Sequence, residues 1–377
     1  MNKKIIKLIA MSVIIMMLVS SLAVFTGCTK DENVILIGVF APTSGDYAQY
    51  GTDIVQSYKL AIEEINADGG VLGKQLKLYE ADTGKDQTTA VSAANKIISK
   101  KVDFVAGGYT SGSITSTMQL FFDAKMLLLV SNANSTEITK GGFNQTFMIN
   151  NPSTHAVEIL TKLLDSISAK KVALIHQGDS YTKDLADLCR DELPKSGYEI
   201  VAYEMMEEGA PDVSAIVTAI INSEADFVYW CGYDSDGSNV IKQLRRGGYT
   251  GEICVGDGSA SVKLIEYCAQ DGEGVYVTSP PFVKFTDGGE EFIAEYNKKF
   301  NMEPGTYATL NYDTIYLLKA AIEKAGSTDT EAVRKALMEI EFKGLSGTIS
   351  FNENREPAES KFMILQIKDG EFIHVTP

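Results

Sequence analysis

Along this chain, short runs of apolar and β-branched residues alternate with stretches in which apolar positions recur every three or four residues. The first kind reads as strand and the second as amphipathic helix, the repeating order that builds a parallel sheet covered by helices. Residues 34–40, 76–80, 102–106 and 126–131 make a first set of strands, with helices predicted over 52–66 and 87–99. Ile54, Tyr58, Ala61, Ile62 and Ile65 share one face of the first helix, a stripe suited to burial against the sheet. After Asn151-Pro152 the alternation starts again, with strands at 171–176, 199–205, 226–230, 252–255 and 275–278. Three consecutive helices follow at 289–300, 307–324 and 330–340. The pattern then changes: 347–351, 362–367 and 372–375 read as strands, the last two joined by Lys368-Asp369-Gly370 into an antiparallel hairpin. Such a chain predicts an α/β protein of two lobes, each a mostly parallel sheet flanked by helices, linked by several crossovers about which the lobes hinge.

The first residues do not belong to this pattern. Lys3, Lys4 and Lys7 precede an uncharged stretch over residues 8–27 that ends at Cys28, the layout of an export leader. An uncharged run of about 20 residues also spans a bilayer, but Phe25-Thr26-Gly27-Cys28 resembles a bacterial lipobox, with Phe25 in place of the usual Leu. The expectation is therefore a signal peptide over residues 1–27 and a diacylglycerol on Cys28. Each buried methylene of an acyl chain contributes about 0.8 kcal/mol, so two chains hold a protein firmly. The mature chain is expected outside the cytoplasm, tethered to the cell membrane.

Composition changes the picture by exclusion. The formal net charge is −16, or −19 without the three leader lysines, which argues against nucleic acid because phosphate binding needs clustered cations. Cys189, Cys231, Cys254 and Cys268 form no CxxC pair and are too scattered for a zinc ribbon, so no metal is expected. Cys254 and Cys268 lie where a disulfide is possible, and buried free thiols are the alternative. The sequence has no GxSxG, no GxxxxGK[ST] and no GxGxxG after its first strand, so neither a nucleotide cofactor nor catalysis is indicated. Of the three histidines, His176 ends a strand beside the presumed cleft, where it either touches ligand or is structural. Trp230, the only tryptophan, is either core or a reporter of lobe closure.

Several segments, in order, then carry a resemblance. They are Ile37-Gly38-Val39-Phe40-Ala41-Pro42-Thr43-Ser44-Gly45 with Ala48-Gln49-Tyr50-Gly51, Ile65-Asn66-Ala67-Asp68-Gly69-Gly70-Val71-Leu72-Gly73, and Ala94-Asn95-Lys96-Ile97-Ile98. Residues 131–139, Ala173-Leu174-Ile175-His176 and Asp226-Phe227-Val228-Tyr229 continue the series. Over about residues 33–377 the chain resembles the branched-chain amino-acid-binding proteins of ATP-driven uptake systems, which have the type I periplasmic-binding fold. The resemblance implies lobes of 33–152 with 283–344 and of 153–282 with 345–377. It also implies a monomer that hands a small amino-acid-like ligand to the membrane permease of an ABC transporter.

Open α/β sheets bind ligands at loops leaving the carboxyl ends of their strands. Tyr109-Thr110-Ser111-Gly112-Ser113 is such a loop, and its N–H groups and the Ser111 hydroxyl suit a carboxylate; mere helix capping is the alternative. By resemblance, Ser135 offers the carboxylate a second hydroxyl and Ala133 offers its carbonyl to an ammonium. Asn134 stands where relatives have a small apolar residue, which points to a more polar ligand. From the other lobe the resemblance brings Tyr181, Tyr233 and Asp257, the last exposed between Gly256 and Gly258 to meet the ammonium. Tyr50 and Tyr307 match positions that shape the side-chain pocket. Aromatic amino acids, amides, urea and a ligand-presenting sensor role remain open beside branched-chain uptake.

Overall fold

The computed structural model describes residues 33–377; the leader and Cys28 lie outside the described residues. Strands β1 (Val34–Ala41), β2 (Gln75–Asp82), β3 (Phe104–Gly107), β4 (Leu128–Val130) and β5 (Thr146–Met148) form one sheet, in the order β2-β1-β3-β4-β5. The pairs β1–β3, β3–β4 and β4–β5 are parallel. Helices α1 (Ala48–Ala67) and α2 (Gln87–Lys100) follow β1 and β2, and the short helices α3 (Ser111–Thr115), α4 (Met118–Asp123) and α5 (Glu137–Lys140) decorate the loops. The period of two along each strand sends alternate residues to opposite faces. Ile35, Ile37 and Val39 meet Ile54 and Tyr58 of α1 on one face, whereas Phe40, Val105 and Leu128 meet Ala93 and Ile97 of α2 on the other.

Beyond α6 (Ser153–Ile167) a second sheet begins. Strands β6 (Lys171–His176), β7 (Glu199–Met205), β8 (Phe227–Cys231), β9 (Glu252–Val255) and β10 (Tyr276–Ser279) are its parallel part, interleaved with α7 (Ser180–Glu192), α8 (Ser214–Asn222), α9 (Asp234–Arg246) and α10 (Val262–Cys268). The chain then adds α11 (Gly289–Phe300), α12 (Ala308–Ala325) and α13 (Thr330–Met338), with α12 packed along α1 over the first sheet. A small ribbon of β11 (Phe342–Gly344) and β12 (Gly347–Ile349) follows. The chain returns to the second sheet as the antiparallel pair β13 (Met363–Lys368) and β14 (Glu371–Val375), completing the order β14-β13-β10-β9-β8-β6-β7.

The segments linking the two sheets thus run between β5 and α6, after β10, and before β13. Ile35–Pro377 cluster as one compact unit. Among the described residues no helix is long and apolar enough to cross a membrane. Cys189, Cys231, Cys254 and Cys268 are free, buried thiols, so the pairing of Cys254 with Cys268 is not formed.

Candidate functional site

The carboxyl ends of β3 and β4 point their loops toward those of β6, β8 and β9, and the candidate residues collect there. β3 ends in Gly107, whose φ is +127° and where a Cβ would lie 2.3 Å from the carbonyl oxygen of Phe40. Only glycine permits that close turn, which launches Tyr109, Thr110 and Ser111. Thr110 is the residue that caps α3, its hydroxyl accepting from the Ser113 N–H at 3.3 Å. The Ser111 hydroxyl is buried and accepts from the backbone N–H of Ser135 at 3.2 Å, tying the first loop to the second. Because α3 has only five residues, it brings little helix dipole to this end, and the polar groups the loop presents are the hydroxyl and its N–H groups.

The second loop, after β4, is anchored at several points. Asn134 accepts through its carbonyl from the N–H and hydroxyl of Ser153 at 2.9 and 3.1 Å, and the Ala133 N–H donates to Gly108. The Ser135 hydroxyl accepts from the Glu137 N–H at 3.3 Å. Ser135 is fully buried and stands behind the cavity wall, whereas Ala133 and Asn134 form part of that wall.

From the second sheet come Tyr181 at the start of α7, Tyr233 just before α9, and Asp257 after β9. The sequence suggests an Asp257 exposed between glycines; the structure corrects this, since Asp257 is only 2% exposed. Its glycine neighbours serve another purpose: a Cβ on either Gly256 or Gly258 would come within 2.8 Å of the Tyr181 side chain. Tyr181 therefore lies flat against the turn, donating its hydroxyl to Asp257 Oδ1 at 2.8 Å and accepting from the Gly258 N–H at 3.0 Å. Oδ2 receives Asn134 at 3.0 Å, Tyr307 at 3.2 Å and Asn150 at 3.4 Å. Burial pushes the Asp257 carboxyl above the ordinary range in spite of these donors, which pull it down.

Tyr109, Ser111, Ala133, Tyr181, Tyr233, Asp257 and Tyr307 all line one tight cavity, together with Asn132, Asn134 and Gly258. Tyr109 sits at its aromatic centre, with ring centroids of Tyr233 and Tyr307 both 6.2 Å away. Tyr50 does not reach that cavity. It stacks behind Tyr109 at 4.4 Å, donates to Asp234 at 2.7 Å, and lines a neighbouring apolar pocket. His176 is placed away from the cavity, packed on Tyr203 with ring centroids 4.9 Å apart. Trp230 is fully buried and donates its indole N–H to the Tyr233 carbonyl at 3.1 Å, directly beneath a cavity residue.

Sequence reasoning missed Asn150 and the Thr136–Asp184 contact. Asn150 follows β5, the strand next to β4, so the same rule that selected 131–136 would have found it. Thr136 donates its N–H and hydroxyl to the Asp184 carboxylate at 2.8 and 2.7 Å, joining the loop after β4 to α7; nothing in local pattern signals a pairing 48 residues apart.

The family profile described as periplasmic binding protein matches residues 34–371. Leu/Ile/Val-binding protein homolog 3 of Brucella melitensis biotype 1 is 28% identical over 342 residues, covering 90% of this chain and 93% of that protein. The leucine binding protein LivK of Thermotoga maritima has a TM-score of 0.84 at 24% identity, covering 91% of this chain and 98% of its own. The branched-chain amino acid transporter substrate binding protein LivJ of Streptococcus pneumoniae, solved in complex with isoleucine, has a TM-score of 0.81 at 26% identity, covering 91% and 100%. With the profile matched from β1 to the start of β14 and the type I fold shared with these structures, the chain belongs to the periplasmic binding protein family.

Proposed function

We propose that this chain is the extracytoplasmic substrate-binding component of an ABC uptake system and captures an amino acid between its two sheets. The observation that carries the reading is Asp257, a buried carboxylate reached by donors from both sides of the cleft and facing the loop that holds Ser111. In this reading the ligand carboxylate lies on the Ser111 and Ser135 side and its ammonium pairs with Asp257 and the Ala133 carbonyl. Tyr109, Tyr181, Tyr233 and Tyr307 enclose the remainder, and Tyr50 backs the pocket wall. Hydrogen bonds to charged groups contribute about 1.5–3 kcal/mol each, so a few of them support micromolar capture, about −8 kcal/mol. Branched-chain amino acids are the leading class, because relatives are named for leucine, isoleucine and valine and a structural neighbour at 26% identity holds isoleucine.

The remaining expectations are part of the same proposal. The lobes divide as 33–152 with 283–344 and 153–282 with 345–377, a division supported by the linking segments after β5, after β10 and before β13. A lipid on Cys28 tethers a monomer beside its permease, and no chemistry is performed on the ligand. A thermal-shift screen of the chain from Asp31 against amino acids, amides, urea and sugars tests the reading. A true ligand at a hundredfold excess over Kd adds about 2.7 kcal/mol of stability. Stabilisation by sugars alone would remove the amino-acid assignment.

A further inference from the structure

Oδ2 of Asp257 accepts from three groups, Asn134 at 3.0 Å, Tyr307 at 3.2 Å and Asn150 at 3.4 Å. A carboxylate oxygen has two lone pairs, so neutral donors already saturate it. Two of these donors have other acceptors: Asn150 donates to the Asn132 carbonyl at 2.7 Å and Tyr307 is shared with the Asp257 carbonyl at 3.0 Å. Asn134 spans the cleft from the loop after β4, and its backbone is pinned by Ser153. Rotation of its side chain alone therefore takes its amide off the carboxylate.

We infer that Asn134 is an affinity-setting residue: its side-chain amide stands on Asp257 as an internal substitute for the ligand's ammonium, so that a ligand group binding at Oδ2 must displace it. The inference rests on the proposed capture of an amino acid at Asp257. A hydrogen bond from a cation to a carboxylate is roughly twice as strong as one between neutral groups. An ammonium that replaces the amide gains by the exchange. A hydroxyl or neutral amide on the ligand only trades one neutral donor for another. The contact displaced is the same whichever ligand takes its place, so the amide lowers affinity for an amino acid and for its 2-hydroxy counterpart by the same factor, and the preference between them is set by Asp257 itself.

Calorimetric titration of the wild-type chain, Asn134→Ala and Asn134→Ser tests this, the serine being too short to make the contact. The probes are the proteinogenic amino acids and, for the tightest of them, the 2-hydroxy acid of the same side chain. Both variants are expected to bind the amino acid about three- to tenfold more tightly, the worth of one competing hydrogen bond. They are also expected to tighten by a similar factor on the hydroxy acid, so that the preference between the two stays as it is in the wild type. Wild-type binding with equal or weaker binding by both variants overturns the role of Asn134 and leaves the proposed function standing. A wild-type chain that binds no amino acid overturns both.

Discussion

Asp257 is surrounded by neutral donors from Tyr181, Asn134, Tyr307 and Asn150, and its burial raises its pKa. Two outcomes follow at the scale of this residue. Truncating one partner of a buried, hydrogen-bonded charge pair costs about 2–5 kcal/mol, so Asp257→Ala is expected to weaken amino-acid binding about thirtyfold or more in calorimetric titration. Ammonium pairing needs the ionised carboxylate, so Kd is also expected to rise as pH falls through the elevated pKa, and Asp257→Asn to flatten that slope. A pH-independent Kd in the wild type would speak against the pairing. Ser111→Ala, which removes a hydroxyl from the loop after β3 and leaves the buried Ser135 N–H without its acceptor, is expected to weaken binding about tenfold and to lower the melting temperature modestly with the fold retained. Ser111 was legible because its loop follows a strand end, and strand ends show in the apolar pattern, whereas Ala133, Tyr181, Tyr233 and Asp257 came from the family resemblance; all five line the cavity. What could not be read was direction: Ser135 turns behind the wall, Tyr50 stacks behind Tyr109, and Asp257 is sealed under Tyr181.

At the scale of elements, α1 binds the connection between α11 and α12 through one buried acid. Asp53 accepts from the Gly305 N–H at 2.9 Å and the Tyr296 hydroxyl at 3.0 Å, and burial pushes its carboxyl up to about 6 from 3.8. A folded pKa above the unfolded one gives stability that is complete below about pH 4 and lost as pH rises through about 6. The loss from this group is on the order of 3 kcal/mol. Asp53→Asn keeps an acceptor for both donors and is expected to flatten the fall in melting temperature between pH 4 and 6, leaving the variant the more stable at pH 7. An unchanged slope would show that Asp53 is not the group responsible. The long amphipathic helices and the final hairpin were readable from period alone, and Asp369-Gly370 does connect β13 to β14. The helices α3, α4 and α5 were not, since four to six residues make too few turns for a period to show. The first helix begins at Ala48, four residues before the predicted Thr52, because no capping side chain marks its start.

Across the whole molecule, the loops after β2 and β4 meet the elements of the second sheet's half by polar contacts that differ in weight. Thr136 to Asp184 is a two-point bond to a carboxylate, whereas the Lys85–Glu208 ion pair is about half exposed and contributes little. Contacts made on closure govern escape more than encounter. Asp184→Ala is therefore expected to raise the ligand off-rate several-fold with little change in the on-rate, followed in stopped flow by the fluorescence of Trp230 beneath the Tyr233 loop. An altered on-rate with the off-rate unchanged would contradict this. The claim on which the rest depends is a zwitterion held between an anion loop on one side and a carboxylate on the other. A crystal structure of the chain with the tightest amino acid from the screen tests it most directly. The account predicts the ligand carboxylate on the Ser111 loop and its ammonium within ion-pair distance of Asp257. A ligand seated in the apolar pocket beyond Tyr50, or one turned so that its carboxylate faces Asp257, would contradict it.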